Sequence, residues 1–406
     1  MIIIIVFVAL VFLYSLVSRR LERTLVTAPV IFASGGILLI LTMPGLQELD
    51  IQRASLLKLA ELGLVMLLFT DATHINLKTL RSKEKLPLRL LSIGMLLTIL
   101  LGAVAAHFIF SQLSIGEAGI LAAILAPTDA GLGQVIVRSP RVPLLIRQSL
   151  DVEAGLNDGL AVPFFMFFIA VSQIGTEGSA RVLLNYVFEQ LVMGALAGLS
   201  VGLIGGLLLA KARRKEWMAE SAQQLGLVAI PVLSVFACEP VGGSMFIAAY
   251  IAGLAVQTSF RDAGKPSLEF TEGWGQVLDY FVFFLFGLFV ALAISQFSFV
   301  HILYAILSLT AVRMVPVAIA LIGARLNRAS ILFIGWFGPR GLASIVLGLV
   351  FLEEEAHLPG EGTIKLAVMA TVMLSIFTHG FTALPGIDLY ARKVAKLDAS
   401  APEKAQ

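Results

Sequence analysis

Apolar residues run along this chain in long uninterrupted blocks. Stretches such as "MIIIIVFVALVFLY" and "GALAGLSVGLIGGLLLA" carry no charge and show no alternation of apolar and polar positions. A helix needs about 20 such residues to cross the hydrocarbon core of a bilayer. A transmembrane β-barrel would instead alternate with a period of two residues. The pattern therefore predicts an all-α polytopic membrane protein.

These blocks predict about thirteen transmembrane helices. They lie near 2–18, 28–46, 56–76, 88–111, 117–137, 143–173, 184–210, 222–238, 242–258, 275–295, 298–322, 330–352 and 364–390. Every second connection between them is rich in lysine and arginine, whereas one of the others is the acidic stretch "EEEAHLPGE". Because basic residues collect in short cytoplasmic loops, we predict the N-terminus outside and the C-terminus in the cytoplasm.

Composition agrees with this class and excludes several others. Of 406 residues, 58 % are hydrophobic and 14 % charged, whereas soluble proteins carry about 25 % charged residues. A single cysteine, Cys238, excludes an intramolecular disulfide. The first span lacks a basic leader and is predicted to be retained. Residues 391–406 are predicted to form a short cytoplasmic tail, and the polar composition of "KLDASAPEKAQ" (396–406) predicts disorder there.

A few charged residues fall inside the predicted spans. A charge at the bilayer centre costs at least ~2.5–3.5 kcal/mol, so such residues mark candidate functional sites. The candidates are Asp71, Asp129, Glu153, Asp158, Arg313 and Arg340.

Spans five and twelve share a second feature. "ILAPTDAGLG" and "IGWFGPRGLAS" each place proline, glycine and a charge near the middle of an apolar segment. Proline removes a helical hydrogen bond, and freed backbone groups are tolerated at membrane depth only inside protein or beside a wet cavity. Two such segments in different halves of the chain predict inverted repeats with two interrupted crossing helices and an ion site near the midplane.

Span six, through "DVEAGLND", supplies further carboxylates. Glu153 and Asn157 share a helix face, whereas Asp158 points about 140° away from Glu153. We predict that Arg340 neutralises Glu153 in a fixed buried pair, because a stranded charge would cost several kcal/mol. Asp158 has no basic residue nearby in sequence, so it is predicted to exchange its counterion.

A carboxylate that holds either a proton or a monovalent metal cation provides the chemistry of an antiporter. The predicted cation and proton site contains Asp158 and Asp129, with Thr128 and Asn157 as further oxygen ligands, a set that suits a hard cation. If Asp158 alone exchanges, one proton leaves for each cation bound, and the cycle is electroneutral.

The ordered motifs resemble those of the NhaP-type sodium/proton antiporters over essentially the whole membrane domain. They are "APTD" (126–129), "DVEAGLND" (151–158), "GGSMFIAAYIAGL" (242–254), "DYFVFFLFGLFV" (279–290) and "GPRGLASIVL" (338–347). The resemblance implies a homodimer of thirteen-helix protomers. It also implies moving core helices at about 56–173 and 275–390, except for linking spans, and dimerisation helices at about 1–46 and 184–258.

The resemblance also implies residue roles. They are the Asn-Asp pair of the electroneutral branch at Asn157 and Asp158, the Thr-Asp pair at Thr128 and Asp129, and the buried Glu–Arg pair at Glu153 and Arg340. Ala154 departs from the pattern, because close relatives carry a serine ligand there. Ala130 stands where many relatives have proline.

Several alternatives stay open. Asp71 either lines an entrance funnel or faces headgroups, and Arg313 either serves the site or holds span eleven against a carboxylate or open carbonyls. The leading function is Na⁺/H⁺ or Li⁺/H⁺ antiport, with K⁺/H⁺ antiport as a rival of the same fold. A passive cation channel is less favoured because no filter-like repeat is present. We expect no enzyme activity, no cofactor, no nucleic-acid partner, and a place in the cell membrane.

Overall fold

The computed structural model describes most of the chain, except residues 1, 22–23, 44–52, 75–85, 174–179, 261–264, 354–357, 399–400 and 405–406. The regular secondary structure of the described residues is helical throughout. The α-helices are α1 (Ile2–Leu21), α2 (Ala28–Thr42), α3 (Arg53–His74), α4 (Leu86–Arg89), α5 (Met95–Ile109), α6 (Ile115–Ile124), α7 (Ala130–Val137), α8 (Leu144–Gln173), α9 (Ala180–Arg214), α10 (Glu220–Cys238), α11 (Met245–Ser259), α12 (Lys265–Ala293), α13 (Phe299–Leu309), α14 (Ala311–Ala320), α15 (Arg328–Trp336), α16 (Leu342–Glu353) and α17 (Glu361–Ala395).

The described helices are those of a multi-pass membrane protein. Eight of the described helical segments are long and apolar enough to cross a bilayer, and four shorter ones are apolar over 10–17 residues. Large apolar side chains on their outer surfaces are exposed, as with Phe12 at 62 % and Leu208 at 61 %. The helical membrane class is thereby confirmed. The count of thirteen spans and the orientation of the termini stay predictions.

The chain divides into two compact units. Unit 1 comprises Met1–Gln52, Lys78–Asn157 and Tyr280–Gln406, and unit 2 comprises Arg53–Leu77 and Asp158–Asp279. The first two helices therefore group with unit 1 and the third with unit 2, whereas the resemblance implied the reverse for core and dimerisation helices. The implied division concerns which helices move and which pair in a dimer, and it stays a prediction.

In unit 1, α2 crosses the second half of α12 at very short range. A side chain at Gly36 would overlap the backbone of Phe284, and one at Gly287 would overlap the backbone of Ala33. Small residues allow this approach because lipid provides no hydrophobic force between helices, and packing must hold them together. Phe7 of α1 completes the crossing with its ring 5.7 Å from that of Phe284.

In unit 2, α9 and α11 are joined by a glycine seam, which comprises Gly194, Gly198 and Gly202. Added side chains at these positions would collide with the backbone of Ser244, Ala248 and Ala252, respectively. The four-residue spacing places the glycines on one face of α9. The seam therefore lets the two backbones touch at three successive levels.

Both predicted interruptions are present. Span five is broken between α6 and α7 at residues 125–129, and span twelve between α15 and α16 at residues 337–341. A third break was not predicted, because Thr310 leaves helical geometry at φ −106° and ψ −93° and separates α13 from α14. Span four also contains a π-helical turn, Leu90–Gly94. The third break matters because Arg313 lies in the first turn after it.

The end of the tail is ordered, so the predicted disorder is wrong for residues 401–404. A 3₁₀ turn, Pro402–Lys404, brings Glu403 against the start of α15. Its carboxylate accepts the Asn327 backbone N–H at 2.7 Å and the Ser330 hydroxyl at 2.6 Å. The free N–H groups and positive dipole of a helix N-terminus favour such a carboxylate, a pairing that composition does not reveal.

Candidate functional site

The first interrupted segment, residues 125–129, supplies buried polar side chains. Thr128 is 3 % exposed and Asp129 is 7 % exposed. Pro127 precedes them, and a proline that lacks an N–H cannot continue the hydrogen bonding of α6. Asp129 instead caps the next helix, because its Oδ1 accepts the Leu132 N–H at 2.7 Å.

The second interrupted segment, residues 337–341, binds the same aspartate. Leu342, the first residue of α16, donates its N–H to Asp129 Oδ2 at 2.6 Å. The Asp129 N–H in turn donates to the Pro339 carbonyl at 2.8 Å. One carboxylate thus caps two half-helices, each of which presents its partly positive N-terminus.

Arg340, in the second segment, donates hydrogen bonds to the first segment. Its Nη1 donates to the carbonyls of Ala126 at 2.8 Å and Pro127 at 3.1 Å. These carbonyls are free because the helix stops before Asp129. Arg340 is fully buried, and its Nε and Nη2 have no hydrogen-bond partner among the described residues.

The predicted pairing of Glu153 with Arg340 is wrong. Glu153 pairs with Arg313, whose Nη1 and Nη2 lie 2.5 and 2.9 Å from the two carboxylate oxygens. Both residues are buried, at 3 % and 2 % exposure. The break at Thr310 starts α14 just before Arg313, and the fork of a guanidinium matches a carboxylate at both oxygens. Open carbonyls hold Arg340 instead. Arg313 holds its span against a carboxylate, which is one of the alternatives predicted for it.

Two glycines of the second segment make these approaches possible. A Cβ atom at Gly338 would lie 2.7 Å from Cζ of Arg313, and one at Gly341 would lie 2.5 Å from Cγ of Asp129. Both distances are well inside van der Waals contact. The motif "GPRG" therefore combines the arginine with the two positions where a side chain would displace charged groups.

Asn157 on α8 joins the first segment. Its Nδ2 donates to Thr128 Oγ1 at 2.6 Å, and both residues are buried. Its Oδ1 is buried too, and no hydrogen-bond partner for it is found in the described part of the chain. A buried amide oxygen without a donor carries a desolvation cost that a cation would remove.

Asp158 follows Asn157 on the same helix and belongs to unit 2. It is 5 % exposed. Within unit 2, the hydroxyl of Tyr250 lies within electrostatic range of the carboxylates of both Asp158 and Asp71. The Tyr250 ring packs over Gly159, where a Cβ atom would come within 2.8 Å of it. The half-buried Asp71 therefore lies in the neighbourhood of Tyr250, as Asp158 does, and sequence analysis did not single out Tyr250.

Ala154 borders a small cavity of about 10 Å³, which Thr128 and Asp129 also line. Such a volume holds about one water molecule. The position where relatives carry a serine therefore faces the first interrupted segment.

Sequence reasoning missed other residues around the second segment. Ser375, His379 and Thr382 on α17 bond to its two ends. Hydroxyl and imidazole groups in an apolar helix carry no charge pattern, so only their spacing of four and three residues could have indicated a shared face.

Comparisons with known proteins agree with this architecture. The family described as "Sodium/hydrogen exchanger, transmembrane" matches residues 3–385. The "K(+)/H(+) antiporter NhaP2" of Shewanella oneidensis is 25 % identical over 307 residues, which are 72 % of this chain and 50 % of the relative. The "Sodium, potassium, lithium and rubidium/H(+) antiporter" of Bacillus subtilis is 26 % identical over 173 residues, 41 % of this chain and 25 % of that protein. The chain spans about half the length of the NhaP2 relatives it matches.

A solved structure shares the fold. The sodium proton antiporter MjNhaP1 from Methanocaldococcus jannaschii, solved at pH 8, superimposes with a TM-score of 0.73 at 22 % identity. The match covers 94 % of this chain and 99 % of that chain. Because the family match covers nearly all of the chain, as the motifs of the interrupted spans indicated, this chain belongs to the sodium/hydrogen exchanger family of transmembrane proteins.

Proposed function

We propose that the chain is a secondary active transporter that exchanges one monovalent cation for one proton by alternating access. The observation that carries the proposal is the balance of buried charges on the two interrupted segments, α8 and α14. Asp129, Glu153 and Asp158 bring three negative charges, and Arg313 and Arg340 bring two positive charges. One negative charge is left over.

That remaining charge sets the stoichiometry. A proton or a single alkali cation neutralises it, and both together would leave an unpaired positive charge in a low-dielectric interior, which is costly. The two ligands therefore compete, and the loaded protein is neutral in both directions of the cycle. Exchange of one for one moves no net charge across the membrane.

In this proposal Asp158 is the exchanging carboxylate, a buried acid next to Asn157 on α8, whereas the other two buried carboxylates have structural roles. Glu153 is fixed by Arg313, and both Asp129 oxygens cap helices. Asn157 contributes its free amide oxygen as a cation ligand. Thr128, which accepts the Asn157 amide, contributes its hydroxyl oxygen. Oxygen ligands of this kind suit hard cations.

Sodium, with lithium as a congener, is the proposed cation. Potassium is the rival, supported by the NhaP2 relatives, which are named K(+)/H(+) antiporters. The ligand set itself contains only oxygen atoms and does not discriminate by radius, so the measurement must compare all three ions.

The test uses purified protein in vesicles that contain a pH-sensitive dye. Sodium, lithium and potassium are added in turn, while a chloride gradient with a chloride ionophore sets the membrane voltage. We expect dye signals for sodium and lithium that do not depend on voltage. Proton movement that follows the voltage at zero cation gradient would refute electroneutral exchange, and a signal with potassium alone would reassign the cation.

Asp158→Asn should abolish exchange, because an amide cannot bind a proton in competition with a cation. Asp388→Asn is the matched control, since Asp388 is a 48 % exposed carboxylate that pairs with Arg141 at the protein surface. The control should exchange at the rate of the native protein. Retained activity in Asp158→Asn would remove Asp158 from the site.

The resemblance also supports a homodimer in the plasma membrane, with distinct core and dimerisation helices. Native mass spectrometry from detergent or lipid nanodiscs checks this directly. A dominant dimer mass is the expected result, and an active monomer at all protein concentrations would contradict it.

A further inference from the structure

One face of α17 bonds to both ends of the second interrupted segment. The Arg340 backbone N–H donates to Ser375 Oγ at 2.7 Å. His379 Nε2 lies 2.8 Å from the carbonyl oxygen of Trp336, the last residue of α15. The indole N–H of Trp336 donates to Thr382 Oγ1 at 3.1 Å.

In an uninterrupted helix, the Arg340 N–H and the Trp336 carbonyl would bond to each other. In an α-helix the N–H of a residue donates to the carbonyl four positions earlier, so the Arg340 N–H would bond to the Trp336 carbonyl. In the structure that hydrogen bond is not formed, and the side chains of Ser375 and His379 bond to the two groups instead. His379 Nδ1 lies 3.1 Å from Ser375 Oγ, which joins them.

The hydrogen-bond directions at the two backbone groups follow from their chemistry. The Arg340 N–H donates to Ser375 Oγ, and the Trp336 carbonyl can only accept, so His379 Nε2–H is the donor of the second contact. The Trp336 carbonyl also accepts the Gly338 N–H at 2.9 Å, and His379 Nδ1 lies 3.0 Å from the carbonyl oxygen of Ser375 as well as 3.1 Å from its hydroxyl. His379 and Ser375 are buried, at 2 % and 0 % exposure.

We propose that Ser375 and His379 are positioning residues that keep the second interrupted segment open by replacing the missing hydrogen bond between Arg340 and Trp336. The proposal rests on the proposed function and names two further residues for the same site. Without them, the Arg340 N–H closes onto the Trp336 carbonyl and the segment shortens. The Leu342 N–H and the Pro339 carbonyl then withdraw from Asp129, and the first segment loses its support.

The test measures cation affinity and the local structure separately. His379→Leu should raise the apparent KM for the exchanged cation about tenfold or more, the effect of one lost buried hydrogen bond, with a smaller change in the maximal rate. His379→Gln should restore the KM to within about threefold, because its amide nitrogen reaches the position of Nε2 and donates one hydrogen bond to the Trp336 carbonyl. Ser375→Ala is a smaller change that should shift the KM in the same direction.

A fluorescence readout does not depend on transport. In a background with Trp217→Phe and Trp274→Phe, Trp336 is the sole tryptophan. Its emission maximum should shift in His379→Leu and return in His379→Gln. Two variants serve as controls, His107→Leu on the exposed face of α5 and Thr378→Ala on α17, whose hydroxyl bonds within its own helix. Neither should change emission or KM.

The outcomes separate the two proposals. Native protein without any exchange overturns the proposed function, while the Trp336 emission still tests the placement of the segment. An unchanged KM together with unchanged emission in His379→Leu and Ser375→Ala overturns the positioning proposal. Equal losses in His379→Leu and His379→Gln would also overturn it, because the donated hydrogen bond would then have no part.

Discussion

The two interrupted segments look alike in sequence and contribute differently to the site. The segment at 125–129 offers side chains, because Thr128 and Asp129 face inward while its carbonyls receive Arg340. The segment at 337–341 offers backbone groups and a cation, because its Pro339 carbonyl and the following Leu342 N–H hold Asp129. Each segment therefore supplies hydrogen-bond partners for polar groups that the broken helix of the other segment leaves without one.

The same contrast separates the two buried arginines. Arg313 meets a full negative charge at Glu153, whereas Arg340 meets two neutral carbonyls. Removing Arg313 breaks a direct ion pair, and removing Arg340 breaks hydrogen bonds to neutral carbonyls. Stability should therefore depend more on the first, and the geometry of the site more on the second.

The largest expected effect comes from the Glu153–Arg313 pair. Arg313→Met should cost about 3–5 kcal/mol in the free energy of unfolding, because the Glu153 carboxylate stays buried without its partner. Arg340→Met should cost less, about 1–3 kcal/mol, because it leaves neutral carbonyls unpaired. It should still abolish exchange. Thermal unfolding in detergent gives the order of stability.

The double variant Glu153→Gln/Arg313→Met provides the control for this comparison. It removes both charges and should recover a large part of the stability that Arg313→Met loses. If Arg340→Met unfolds at a lower temperature than Arg313→Met, the assignment of the ion pair to Arg313 does not hold.

A second prediction concerns the point where the two segments meet. Gly341→Ala places a methyl group against the Asp129 carboxylate and should cost about 1–3 kcal/mol, as overpacking does. It should reduce exchange more than tenfold, because the Asp129 carboxylate is pushed away from the two helix N-termini that it caps. Gly335→Ala is the matched control, since its added Cβ meets Met314 at 3.5 Å, an ordinary contact. Equal rates in the two variants would contradict the close approach.

A third, smaller effect is expected from the first segment. Thr128→Val keeps the shape of the side chain and removes the oxygen that accepts the Asn157 amide. The apparent KM for the cation should rise by roughly three- to tenfold, the range of one net hydrogen bond, while the unfolding temperature changes little. Vesicle assays over a range of cation concentrations measure this. A KM equal to that of the native protein would exclude Thr128 as a ligand.

The smallest effect is expected at the start of α15, the end of that helix that lies away from the second interrupted segment. Glu403→Ala removes the carboxylate that accepts the Asn327 N–H and should cost about 1 kcal/mol without changing the KM. Hydrogen exchange should speed up at the backbone amides of 327–330. Asp398→Asn, an exposed carboxylate of the same tail, is the control. A raised KM in Glu403→Ala would mean that the second segment depends on the tail as well as on α17.

The sequence predicted what depends on local chemistry. Proline, glycine and charge in one short apolar stretch are sufficient to predict a broken helix, and both breaks are where "APTD" and "GPRG" place them. A charge in a span is also recognisable at once, so Asp129, Glu153 and Asp158 could be marked without a structure. Family membership followed from the same motifs.

The partners of these charges could not be predicted, because they depend on helix rotation and distance. Which arginine faces Glu153 is decided by the break at Thr310, and an isolated threonine in an apolar run gives no sign of it. Hydroxyl and imidazole groups on α17 have no charge to mark them. Composition gives the average behaviour of a tail, so it could not predict that Glu403 would be buried.

The glycine seam of unit 2 has a mechanical consequence. Side chains act as compliant spacers between most helices, but α9 and α11 lack such spacers at three successive levels. Their backbones cannot slip past each other by a fraction of a turn without a collision, because packed interiors resist small displacements. The two helices should therefore move as one rigid body, so that a displacement of α9 also displaces α11.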